Sequence, residues 1–171
     1  MRKRIGLLVL VQFIFSAGCS GATPASFWNA YRPELIEQKF SDQGPWGGVR
    51  WTTWVAQTEG TFRVSDVLRF AESKGWSCRE PTKYPAAQLR QWEFAGQAVF
   101  PLHFSPGDRR PDNDAVRRFP RSISDDSLIA ECKTGWILVE PGTEQTSDAL
   151  GYIQVQASGT RMAIYRLWGE I

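Results

Sequence analysis

Val49 to Gln57, rich in Val, Thr and Trp, reads as a strand whose side chains point to its two faces with a period of two. That period puts Val49, Trp51, Thr53 and Val55 on one face and Arg50, Thr52, Trp54 and Ala56 on the other. Two further runs, Tyr152–Ala157 and Thr160–Trp168, flank Ser158-Gly159, a two-residue hairpin signal. A turn there sets Val155 against Met162 and Ile153 against Ile164 on one face. It sets Tyr152 against Tyr165 and Gln154 against Ala163 on the other. Leu128 to Val139 is long enough for a strand and carries Cys132 and Trp136. Helical spacing appears in two places. Ser65–Lys74 places Val67, Leu68 and Ala71 on one side, with Ser65 as N-cap, Asp66 in the first turn and Gly75 as terminator. Phe27–Phe40 offers Phe27, Tyr31, Leu35 and Ile36 as a stripe, with Ser26 as cap and Pro33 as a kink or a second start.

The connections are rich in breakers. Gly44-Pro45-Trp46-Gly47-Gly48 is a turn, and six prolines between Arg79 and Ser127 make that stretch loop-rich. Within it, Ala98–Phe104 reads as an edge strand interrupted by Pro101, and Asp108–Arg118 as a charged, solvated loop. The expected architecture is a single α+β domain over residues 27–171. It has an antiparallel sheet of about four or five strands and one to three helices toward the N-terminus.

Residues 1–18 have a different logic. Arg2, Lys3 and Arg4 precede an apolar run from Ile5 to Phe15, and Ser16, Ala17 and Gly18 follow. A helix over Ile5–Ala17 spans about 20 Å, short of the ~30 Å hydrocarbon core. A basic head, a short apolar run and small residues read as a secretory signal peptide. Three of the 20 basic residues lie in this leader and none of the 18 acidic ones, so the remaining chain is close to neutral. A near-neutral domain has no bulk electrostatic attraction for nucleic acid.

Ser16-Ala17-Gly18-Cys19 resembles the lipobox of bacterial lipoproteins, with Ser16 where leucine is usual. The resemblance covers the leader alone. It implies that the Cys19 thiol is diacylglycerated and that cleavage leaves Cys19 as an acylated N-terminus. Two or more acyl chains give stable membrane attachment where one gives marginal binding. Residues 19–26 would then be the lipidated N-terminus and a short polar tether. Ser20, rather than Asp, after the cysteine implies the outer membrane, on its periplasmic face.

With Cys19 assigned to lipid, Cys78 and Cys132 remain, and in an exported chain they suggest one disulfide. A pair of buried free thiols is the alternative. No Cys-x-x-Cys occurs and His103 is the single histidine, so neither a redox motif nor a zinc set is indicated. His103 lies between Leu102 and Phe104 without a nucleophile motif. Asp112-Asn113-Asp114 lacks the glycine and terminal glutamate of a calcium loop. The glycine-rich turn lacks the Lys-Ser/Thr of a phosphate loop. No cofactor is expected, and the chain is not expected to be an enzyme.

Eight tryptophans are many for one domain. They fill a core, or some anchor a partner, since Trp, Tyr and Arg dominate interaction hot spots. Trp46 in its glycine-flanked turn, with Arg50 and Trp54 on the following strand, is the candidate patch. The functional expectation is an envelope lipoprotein acting as a non-enzymatic protein-binding module, one version being immunity to a secreted toxin. The alternatives are an outer-membrane assembly or scaffold component, and a hydrolase of envelope polymers using two carboxylates among Asp108, Asp112, Asp114, Asp125, Asp126 and Glu131.

Overall fold

The computed structural model describes residues 31–43, 47–91, 93–94, 97–98, 121–134 and 150–169. A short 3-10 turn (Pro33–Leu35) leads into β1 (Ile36–Gln43) and β2 (Gly47–Val55). Helix α1 (Val64–Ser73) follows, then β3 (Ser77–Cys78), β4 (Thr82–Tyr84) and helix α2 (Ala86–Arg90). After β5 (Glu93–Phe94) and β6 (Gln97–Ala98) come β7 (Ser127–Lys133), β8 (Leu150–Gln156) and β9 (Arg161–Gly169). Seven strands form one antiparallel sheet in the order β1-β2-β9-β8-β7-β3, with β4 also beside β7. β5 and β6 make a separate two-stranded ribbon.

The sheet's central strands are covered on both faces. On one, α1 and the chain around it pack Phe62, Val67, Ala71 and Trp76 against Ala130, Cys132, Ile153, Val155, Met162 and Ile164. On the other, Leu89 of α2 and Ile123 pack against Ile129, Tyr152, Ala163 and Tyr165. Ile153, Val155, Met162 and Ile164 therefore belong to one face and Tyr152, Ala163 and Tyr165 to the other, as the hairpin alternation requires. The expected register is observed: Val155 pairs with Met162, Ile153 with Ile164, Tyr152 with Tyr165 and Gln154 with Ala163. Gln154 is fully buried, and its Nε2 donates to the Ile123 carbonyl (3.0 Å) and Ser127 Oγ (3.1 Å).

The helix expected over Phe27–Phe40 is corrected where it is described. Residues 36–40 are strand, and β1 pairs with β2 along its length. The helical stripe is short, and the nine-residue neighbour β2 supplies pairing that weak local propensity cannot resist. A bulge at Glu37 lets Leu35 and Ile36 still reach the α1-side core. The strand count also exceeds four or five. The additional members, β3 and β4, are two and three residues long; β3 lies just before the proline-rich stretch read as loop and β4 within it. Of the edge strand expected at Ala98–Phe104, Ala98 belongs to β6, opposite Glu93; residues 99–104 lie outside the described segments.

The N-cap of helix α1 lies two residues earlier than expected. Arg63, not Ser65, is the N-cap, and its extended carbonyl accepts from the Asp66 and Val67 amides. Its C-terminus is as expected. Gly75 takes φ 83°, its amide donates to Glu72 O, and the Trp76 amide donates back to Ala71 O. These two bonds satisfy the last carbonyls and turn the chain inward, so that Trp76 is buried immediately after the helix. Two residues on, Cys78 is bonded to Cys132, with S–S 2.07 Å.

Candidate functional site

The candidate patch is built on the β1–β2 hairpin, the outermost pair of strands on one side of the sheet. Alternation along β2 puts Trp51 and Trp54 on opposite faces, and both faces have a use for them. Trp54 is fully buried beneath α1, its Nε1 donating to the Tyr31 carbonyl at 2.9 Å. Tyr31 meets its ring edge-on (centroids 6.3 Å) and meets Phe70 of α1 likewise (5.0 Å). Trp54 thus fixes the entering chain to the core. Its expected place in a surface patch is corrected, because the indole has no exposed area with which to meet a partner.

Trp51 is half-buried on the other face. The β1–β2 register sets Phe40 opposite it, and the two rings stack at 5.6 Å with 15° between their planes. Phe40 is 40% exposed, the one large apolar side chain in that condition among the described residues. Every residue from Glu37 to Ser41 is exposed, so among the described residues neither face of β1 is covered there. Beside the aromatic pair, both Glu37 carboxylate oxygens accept from Arg161 (3.1 Å), and Oε2 accepts from Thr53 Oγ1 (3.3 Å). The patch is therefore an apolar ring pair bordered by a fixed ion pair.

Arg50 points to the face opposite Phe40. It is half-buried, and its Nε donates to Ser41 Oγ (3.4 Å). Directly across the β2–β9 ladder is Arg166, which is 5% exposed, with Nε donating to Thr134 Oγ1 (3.3 Å). Burial lowers the Arg166 pKa to about 10, with the Arg50 charge adding to the effect, and burial also lowers that of Arg50. Trp46 lies outside the described residues. Of the three residues expected to form one patch, then, Arg50 and Trp54 share the α1 side and neither accompanies the exposed ring.

Phe40 was hidden from sequence reading because its segment carries helical spacing. Reading Ile36–Gln43 as a strand partner of β2 would have found it. Arg166 opposite Arg50 left no local signal, since the two lie over a hundred positions apart in the chain.

The carboxylates weighed for hydrolysis divide in two. Asp108, Asp112, Asp114 and His103 lie outside the described residues. The other three are engaged structurally. Asp125 accepts from Gln156 Nε2 (2.8 Å), and Asp126 accepts from the Ala86 amide at the start of α2 (2.6 Å), where an acceptor satisfies an orphan donor. Glu131 forms a long ion pair with Arg79 (3.7 Å). Among the described residues there is no cluster of three or more His, Cys, Asp or Glu placed to hold a metal ion. No described helix is long and apolar enough to cross a membrane.

Known protein families, curated proteins and solved structures provide no match to this chain.

Proposed function

We propose that this chain is a bacterial envelope lipoprotein whose domain works by binding another protein rather than by catalysis. The leader and the Ser16-Ala17-Gly18-Cys19 sequence support lipid attachment at Cys19. A disulfide between the two remaining cysteines suits an exported chain. The outer membrane, periplasmic side, is the proposed location, on the strength of Ser20. In class the domain is α+β, a large antiparallel sheet faced by α1 and α2.

The observation that carries the binding reading is Phe40, exposed and stacked on Trp51 at the open side of the sheet. A flat aromatic pair held rigid by a strand ladder offers apolar area at little entropic cost to a partner. An immunity-type role, blocking a secreted toxin at the membrane, is one form of this function. The test places a photo-crosslinking residue at position 40 and, separately, at Ser65 on the exposed side of α1. A partner protein cross-linked from position 40 and not from position 65 is the expected result. Equal labelling from both positions, or none from either, contradicts it.

A further inference from the structure

We draw no further inference here: the strongest candidate, the Arg50–Arg166 side-chain cluster on the α1-covered face of the sheet, carries nothing beyond the fold because both side chains are already engaged within the protein.

Discussion

Cys78 and Cys132 are direct cross-strand partners, facing each other in the β3–β7 ladder with their Cα atoms 3.9 Å apart. The bond secures a strand of only two residues, which backbone pairing alone holds weakly, and it does so just beyond buried Trp76. It closes a loop with a sequence separation of 54. A loop of that length corresponds to roughly 4 kcal/mol in the chain-entropy model. Replacing both cysteines by alanine should lower the unfolding free energy by about that amount, read from urea denaturation. An unchanged midpoint would show that the clip contributes nothing.

Some of this fold was legible in the sequence for a local reason. The β8–β9 register could be counted out from Ser158-Gly159, because the four-residue connection Ala157–Thr160 is centred on that pair and keeps the same cross-strand partners as a two-residue turn. The end of α1 was legible because Gly75 closes it within one turn. The β2–β9 pairing was not, since it joins Thr52 to Ile164 through tertiary contact alone. Nor was β1, where a helical stripe and a strand compete over residues 36–40 and the neighbouring strand decides. The candidate site suffered most. Trp54 and Trp51 were correctly set on opposite faces, but how deeply each is covered depends on α1 on one side and on Leu89 and Ile123 on the other, and no period in β2 encodes that.

Two glycines separate packing from backbone conformation. A Cβ at Gly151 would stand 2.5 Å from Thr134 Cγ2 and 2.7 Å from the Trp76 ring, both in the core. At Gly75 a Cβ meets nothing within 4 Å, but the backbone holds φ 83°. Gly75→Ala should cost about 1 kcal/mol, the left-handed penalty alone. Gly151→Ala should cost about 1–3 kcal/mol through overpacking, and should also perturb the fluorescence of Trp76. Equal losses without a spectral change at 151 would contradict this packing.

Tyrosine ionisation gives a pH window. Burial raises Tyr165 to about 12, an effect that hydrogen bonds from the Ser122 amide and hydroxyl and the Arg121 charge only partly oppose. Burial raises Tyr152 to about 12 as well, with the Glu131 charge adding to it. A raised folded pKa means that the fold favours the neutral phenol. That stability is complete below the unfolded value near 10 and is lost as pH rises from about 10 to about 12. Tyrosinate absorbance should therefore lag in the native protein, and the thermal midpoint should fall across this interval. Native and unfolded protein titrating together near pH 10 would contradict the buried hydroxyls.

Lipid attachment has its own test. Cells expressing the full chain with a fatty-acid analogue should label the wild type and leave Cys19→Ser unlabelled, with the variant accumulating as precursor or soluble protein. Undiminished labelling of Cys19→Ser would remove the basis for an anchored protein.

The account rests most heavily on Phe40 as the contact residue. The direct measurement is the affinity of Phe40→Ala for the partner cross-linked from position 40, taken beside its thermal midpoint and beside Trp54→Ala. Phe40→Ala should weaken binding by about 30-fold or more, a hot-spot loss of ~2 kcal/mol, while its stability changes by less than about 1 kcal/mol. Trp54→Ala should instead lose about 3–5 kcal/mol of stability, since its indole fills the core. Wild-type affinity in a folded Phe40→Ala protein would contradict the claim that this ring is where the partner docks.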